Sequence, residues 1–168
     1  IIRVVRPHSE VVSVAFSKDG RYAVTAGDEG SVKIWNAASG QPVHTLKHSD
    51  KFLKSVAISP DGRVVASAGG DTGVKLWNTS NGQLIHSVDA ERWSWAIAFS
   101  PDGSLVASGN QNTKISLIDA AKGTVLPTAF GTSWQPVSVA AISDERWIVE
   151  GPTGLSEWDG SNWQALRV

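Results

Sequence analysis

The motif Phe16-Ser17-Lys18-Asp19-Gly20 occurs three times in this 168-residue chain. It returns as Ile58-Ser59-Pro60-Asp61-Gly62 and again as Phe99-Ser100-Pro101-Asp102-Gly103. Its glycine falls at positions 20, 62 and 103, so the steps are 42 and 41 residues. Self-similarity at such a period is typical of a repeat architecture, in which neighbouring units stack to bury a shared core.

A second motif keeps the same period. It reads Val32-Lys33-Ile34-Trp35-Asn36, Val74-Lys75-Leu76-Trp77-Asn78, Ile115-Ser116-Leu117-Ile118-Asp119 and Leu155-Ser156-Glu157-Trp158-Asp159. Position 35 is followed at steps of 42, 41 and 40 residues by positions 77, 118 and 158. The chain therefore contains four repeats, the last two less regular than the first two.

Within each repeat, short runs of β-branched and apolar residues are separated by turn residues, which predicts strands. In the first repeat these runs cover 11–16, 22–26, 31–36 and 41–46, and Asp19-Gly20 is predicted to form a tight two-residue turn. The later strands are predicted near 53–58, 63–68, 73–78, 83–88, 94–99, 104–108, 114–119, 124–128, 137–142, 146–150, 154–158 and 163–168. Four antiparallel strands per repeat predict an all-β fold built of β-propeller blades.

These motifs resemble the WD40 repeat family over essentially the whole chain. The second repeat matches best, with His48, Ser55-Val56-Ala57-Ile58-Ser59-Pro60-Asp61-Gly62, Ser67, Asp71 and Trp77. The first has His8, Ser13-Val14-Ala15-Phe16, Thr25 and Trp35, with Glu29 where the family has Asp. The third keeps Ser108 but has Asn112 and Ile118 and no His, and the fourth keeps Trp158-Asp159 but has Asp144-Glu145 in place of Asp-Gly.

The resemblance implies four WD40-like blades that form part of a seven- or eight-bladed ring. The repeats cover 7–47, 48–88, 89–129 and 130–168, and residues 1–6 align with the outer strand of a preceding blade. Since 163–168 is already an outer strand, we expect the ring to be completed by the rest of a longer chain or by a second copy. The chain has no initiator Met, so we expect that it begins inside a longer gene product or that its N-terminus has been removed by processing.

The resemblance also assigns a structural hydrogen-bond network to eight residues: His8, Thr25, Glu29, Trp35, His48, Ser67, Asp71 and Trp77. A hydroxyl, an imidazole and a carboxylate in each set could instead be taken for a hydrolase triad. The structural interpretation is favoured, because the set occurs twice and because a buried indole N–H and a buried hydroxyl need partners. We therefore expect no catalytic residues, and a softer third blade that lacks the set.

Composition limits the ligand classes. The formal net charge of −1 gives no electrostatic case for nucleic acid or an anionic membrane, and no run approaches the ~18 apolar residues of a membrane helix. The chain has no Cys and thus no disulfides or thiolate metal sites. We expect no cofactor and no bound metal. No signal peptide is visible after Ile1, and we expect a cytoplasmic location.

The family resemblance places partner-binding loops before each first strand and between second and third strands. The candidates there are Glu10, Asp28, Lys51, Phe52, Gly70, Arg92, Trp93, Gln111, Trp134 and Gln135. Several are aromatic or Arg, the types enriched at binding hot spots. The alternative is that the large aromatics pack between blades. Trp93 and Trp95 alternate with the same spacing as Ile97 and Phe99, which predicts that they lie on the same face of the strand.

The resulting hypothesis is a non-catalytic protein-interaction scaffold that displays loops to a protein or peptide, as a module of a larger signalling or regulatory protein. One alternative is a hydrolase-like propeller enzyme, although the predicted first strands carry no acid and no His. Another is a sensor or autoinhibitory propeller fused to an ATPase, kinase or protease.

Overall fold

The computed structural model describes residues 8–49, 51–70, 73–90, 93–127, 130–132, 134–152 and 154–166. These residues contain seventeen strands and no helix. The strands form four antiparallel sheets, here called blades 1 to 4 in chain order. The predicted strand over 1–6 lies outside the described residues.

Apart from β13, the strands of each blade follow one another in space as they do in the chain. Blade 1 consists of β1 Val11–Phe16, β2 Tyr22–Gly27, β3 Ser31–Asn36 and β4 Pro42–Lys47. Blade 2 consists of β5 Leu53–Ile58, β6 Val64–Gly69, β7 Val74–Asn78 and β8 Leu84–Val88. Blade 3 consists of β9 Ser94–Phe99, β10 Leu105–Asn110, β11 Lys114–Asp119, β12 Thr124–Val125 and β13 Phe130–Gly131. Blade 4 consists of β14 Ser138–Ala141, β15 Trp147–Gly151, β16 Gly154–Trp158 and β17 Trp163–Ala165. The predicted all-β architecture of four-stranded antiparallel blades is confirmed.

The blades converge at their first strands. β1 packs beside β5, β5 beside β9, and β9 beside β14. A direct hydrogen bond joins the first two of these strands, from the Val56 N–H to Ser13 Oγ at 3.2 Å. This radial arrangement brings the loops before all four first strands together at one end of the blades.

The Ser-x-Asp-Gly motif forms a five-residue connection, 17–21, and not the tight two-residue turn predicted at Asp19-Gly20. Ser17 Oγ donates to Asp19 Oδ1 at 2.7 Å and accepts from the Tyr22 N–H at 2.9 Å. Asp19 Oδ1 also accepts from the Arg21 N–H at 3.0 Å. The hydroxyl–carboxylate bond recurs at 2.6 Å in the other two copies, Ser59 with Asp61 and Ser100 with Asp102. These side chains satisfy loop amides, and Gly20 adopts the φ of 71° that closes the turn.

Each apolar core lies between two consecutive blades. One joins Ile34 of blade 1 to Leu53 and Trp77 of blade 2. The next joins blade 2 to Ile97 and Phe99 of blade 3. The third runs from blade 3 to blade 4 and includes the buried residues Ile115, Val139, Trp147 and Val149. Stability therefore comes from stacking of neighbours, as in other repeat proteins.

The outer strand of blade 3 is shorter than the predicted 124–128. β12 pairs with β11 only over Thr124–Val125, followed by a bond from the Leu126 N–H to the Leu117 carbonyl at 2.8 Å. Pro127 has no N–H to donate, so this ladder ends there. The short strand β13 pairs with the other end of β11.

One first strand has an exposed apolar face. Phe16 of β1 is 65 % exposed and Val14 57 %, whereas Phe99, the equivalent of Phe16 in blade 3, is 9 % exposed. Phe99 is covered because it packs against blade 2. The described residues place no blade against Phe16 in this way.

Candidate functional site

The predicted polar residues of blade 1 lie in one hydrogen-bonded chain. Trp35 Nε1 donates to Thr25 Oγ1 at 3.0 Å, and His8 Nε2 lies 2.9 Å from the same oxygen. The other ring nitrogen of His8 bonds to Glu29 Oε1, which also accepts from the Ser31 hydroxyl. Burial by itself raises the pKa of Glu29, but the hydrogen bonds from His8 and Ser31 outweigh it and lower the pKa to about 2. Ser31 was not identified from the sequence.

Blade 2 repeats the arrangement deeper in the protein. Trp77 Nε1 donates to Ser67 Oγ at 2.8 Å, and His48 Nδ1 lies 2.7 Å from that oxygen. Burial lowers the pKa of His48 to about 4, and the nearby Lys75 cation adds to the effect. His48 is therefore neutral near pH 7. Asp71, the predicted fourth member, lies outside the described residues.

These hydroxyls are poorly placed for nucleophilic attack. Ser67 has no solvent exposure, and Thr25 is 9 % exposed. Each oxygen is engaged both by an indole N–H and by an imidazole. The geometry joins the loop before the first strand to the second and third strands of its own blade, which fits reinforcement of the blade.

In blade 3 the equivalent serine, Ser108, has a different hydrogen-bond partner. Ser108 Oγ donates to Ser94 Oγ at 3.0 Å, and both residues are fully buried. Ile118 occupies the position of the tryptophan and is also fully buried. Sequence reasoning missed Ser94, although a hydroxyl at the start of β9 was available as a signal.

Two histidines on outer strands connect neighbouring blades. His44 Nε2 of β4 lies 2.9 Å from the Ser80 carbonyl oxygen of blade 2, and His86 Nε2 of β8 lies 2.9 Å from the Ala121 carbonyl oxygen of blade 3. Both imidazoles thus bond to backbone. Over the described part of the chain, no group of three or more His, Cys, Asp or Glu side chains could hold a metal ion.

The candidate partner-binding residues that the structure describes lie in the loops at one end of the blades, here called the loop face. On blade 1 the Asp28 N–H donates to the Glu10 carbonyl at 3.2 Å, and Asp28 Oδ1 accepts from Ser9 Oγ at 2.6 Å. Glu10 is exposed. The two loops of this blade are thus joined by main chain and by side chain.

Trp93 joins two blades across the loop face. Its N–H donates to the Gly70 carbonyl of blade 2 at 2.8 Å, and its carbonyl accepts from the Gln111 N–H of blade 3 at 3.0 Å. Its φ is 64°, a left-handed conformation that bulky residues rarely adopt. Such strain persists only where the surroundings hold it, and it concentrates at functional sites.

Aromatic rings from blades 2 and 3 meet at this point. The ring centroids of Phe52 and Trp93 are 5.5 Å apart, and both side chains are half-buried. Lys54 Nζ lies 4.9 Å from the Phe52 centroid and 4.8 Å from that of Trp95. Lys51 is exposed on the same loop as Phe52. Lys54 and Trp95 were not among the predicted site residues.

The remaining candidates differ in accessibility. Gln135 of blade 4 is exposed and its Nε2 donates to the Gln111 carbonyl at 3.4 Å, which extends the loop face to the fourth blade. Trp134 is half-buried and packs against Gly151 and Trp163, with its ring centroid 6.5 Å from that of Trp163. Arg92 lies outside the described residues.

The family model for the WD domain, G-beta repeat (WD40) matches residues 1–36, 40–78 and 82–119. The chain belongs to the WD40 family. This confirms the predicted membership. Members of this family are in general non-catalytic and serve as protein-interaction scaffolds. Across the described residues, no helix is long and apolar enough to cross a membrane.

Local similarity links this WD40 chain to two curated proteins. It is 53% identical over 32 residues to periodic tryptophan protein 2 homolog of Mus musculus, a match that covers 19% of this chain and 4% of that protein. It is 43% identical over 42 residues to transducin beta-like protein 3 of Homo sapiens, covering 25% of this chain and 5% of that protein. The matches span only a small part of these relatives.

Solved structures share the fold at lower identity. The designed protein Ika4 has a TM-score of 0.78 at 21% identity, over 95% of this chain and 100% of its own. U3-55K has a TM-score of 0.90 at 18% identity, over 96% of this chain and 53% of its own. Nearly all of this chain therefore superposes on about half of U3-55K.

Proposed function

We propose that this chain is a rigid, non-catalytic scaffold that binds a protein or peptide ligand on its loop face, as a module of a larger signalling or regulatory protein. The observation that carries the proposal is the position of Trp93. Hydrogen bonds to Gly70 and from Gln111 hold its backbone at a positive φ, and its ring lies beside Phe52. Half-buried aromatics on a preorganised surface are typical binding anchors.

The binding surface extends across blade boundaries. Gly70, Trp93, Gln111 and Gln135 form a hydrogen-bonded succession from blade 2 to blade 4. A ligand that contacts these loops meets a surface whose parts are already connected. We therefore expect little backbone change on binding.

The experiment compares proteins retained from a cell extract by the immobilised wild type and by variants. Phe52→Ala and Trp93→Gly remove the aromatic anchors. Lys18→Ala is the matched control, because Lys18 is exposed in the turn between β1 and β2, at the other end of the blade. Loss of the same proteins from both loop-face variants, and not from the control, supports the proposal. Retention that is unchanged in both loop-face variants contradicts it.

Ring completion is a second part of the proposal. Val14 and Phe16 on β1 are exposed. A neighbouring blade covers them, and this blade comes from the rest of a longer chain or from a second copy of this one. Exposed apolar sheet faces of this kind favour association.

A further inference from the structure

Lys54 is placed unusually for a lysine near a protein surface. Its ammonium group lies 4.9 Å from the ring centroid of Phe52 and 4.8 Å from that of Trp95, so it sits between two aromatic rings. No carboxylate of the described residues forms an ion pair with it. Cation–π contact attracts the ammonium to the ring faces, but it supplies no counter-ion.

The groups around Lys54 are donors and apolar surfaces. The indole N–H of Trp95 is shielded from solvent and has no hydrogen-bond partner among the described residues. Phe52 and Trp93 contribute ring faces, with centroids 5.5 Å apart. The side chains of Phe52, Lys54, Trp93 and Trp95 therefore offer a positive charge and apolar area to a ligand, but no hydrogen-bond acceptor.

We propose that this cluster, Phe52, Lys54, Trp93 and Trp95, binds an acidic peptide segment. A carboxylate of the peptide pairs with the Lys54 ammonium, and a neighbouring apolar side chain lies on the rings of Phe52 and Trp93. This inference rests on the proposed function of the loop face and specifies the chemistry of its ligand.

Charge distinguishes this ligand from the other classes. A basic peptide would be repelled by Lys54 and by Lys51 on the same rim. A long polyanion such as nucleic acid would extend over the loop face toward blade 1, where it would meet the carboxylates of Glu10, Asp28 and Glu29. A short acidic segment can pair with the ammonium groups of Lys51 and Lys54 without reaching those three carboxylates.

The test is a selection of random heptapeptides displayed against the purified protein. We expect the wild type to enrich peptides in which Asp or Glu is adjacent to an aromatic or aliphatic residue. The best peptide, acetylated and amidated to remove terminal charges, should bind Lys54→Gln about tenfold more weakly. Lys54→Glu should select Lys- or Arg-containing peptides instead. Lys18→Gln, at the opposite end of blade 1, should select as the wild type does.

A second measurement uses only the wild-type protein and so does not depend on the folding of a variant. Replacing Asp and Glu of the selected peptide by Asn and Gln should weaken binding by a similar factor, and added salt should weaken the acidic peptide more than its neutral copy. Selected peptides that require Phe52 and Trp93 but are basic or uncharged would overturn this inference alone. Failure to select any peptide, or peptides indifferent to both Phe52→Ala and Trp93→Gly, would overturn the proposed function as well.

Discussion

The N–H of Trp93 donates a hydrogen bond to the carbonyl oxygen of Gly70, 2.8 Å away, and thereby fixes the loop before blade 3 to the turn of blade 2. In this position the backbone of Trp93 adopts a left-handed conformation with a φ of 64°. The side chain is consequently held beside Phe52. A rigid aromatic at a junction of two blades gives the loop face a defined shape before any ligand arrives.

The first prediction concerns this strain. Trp93→Gly should be more stable than Trp93→Ala by about 1 kcal/mol, because only Gly adopts a left-handed φ without a steric cost. Urea unfolding at pH 7 measures the difference. Glu10 is the equivalent residue in blade 1 and has no positive φ, so there Ala should be the more stable of the same two substitutions. Equal stability of the two Trp93 variants would show that the backbone strain is absent in solution.

The second prediction concerns the buried network of blade 2. Trp77→Phe leaves the Ser67 hydroxyl without its indole donor, and Ser67→Ala leaves the indole N–H without its acceptor; each should cost roughly 1–3 kcal/mol. The double variant should lose less than the two single losses together, with a coupling of about 1 kcal/mol, measured by denaturant unfolding. Ser108 bonds to Ser94 and not to Trp77. The losses of stability caused by Trp77→Phe and Ser108→Ala should therefore be additive. Strict additivity for Trp77 and Ser67 would rule out a shared network.

The period of the motifs was enough to predict the blades, because each strand pattern is local and each core residue repeats at a fixed spacing. The pairing of Trp35 and Trp77 with their hydroxyl partners was implied by the resemblance to the WD40 family. Contacts that depend on how one blade sits against the next were not predictable in this way. The bond from His44 to Ser80 and the position of Lys54 between the rings of Phe52 and Trp95 are of this second kind.

The sequence was least informative where it departs from the repeat. Trp93 occupies the position of Glu10 and Phe52, yet its positive φ has no signature in residue type, since Gly or Asn is usual in that conformation. Trp134 was a surface candidate by alignment, but the absence of a side chain at Gly151 lets its ring pack inside blade 4. Partner binding by these residues stays a prediction.

The third prediction concerns acid. Hydrogen bonds, chiefly from Ser100 and then from the Ser104 N–H, lower the pKa of Asp102 to about 2. A carboxyl whose pKa is lower in the folded state stabilises the fold above its unfolded pKa of about 4, and that contribution is lost as the pH falls from about 4 to about 2. Asp102→Asn should therefore be less sensitive to this pH range than the wild type.

Urea unfolding at pH 7, 4, 3 and 2 measures the difference between Asp102→Asn and the wild type. Asp89→Asn, which removes an exposed carboxylate outside the Ser-x-Asp-Gly turns, is the matched control and should follow the wild-type profile. Parallel profiles for the wild type and Asp102→Asn would mean that the turn hydrogen bonds contribute nothing to acid stability.

The last prediction concerns the open face of blade 1. Phe16 is 65 % exposed, whereas its equivalent Phe99 is packed against the preceding blade. Burial of such a side chain contributes roughly 1.5–3 kcal/mol. Residues 1–168 in isolation should therefore self-associate through this face, and Phe16→Glu should weaken the association by about tenfold or more. Sedimentation velocity over a concentration series measures both.

Leu84→Glu is the matched control, because Leu84 is 47 % exposed on β8, the outer strand of blade 2, where no neighbouring blade is needed. This substitution introduces the same charge at another exposed apolar position, and it should leave the sedimentation of residues 1–168 unchanged. Equal effects of the two substitutions would indicate a general response to added charge. A soluble monomer that forms a closed four-bladed ring, with Phe16 covered from within, would show that ring completion by further blades is wrong.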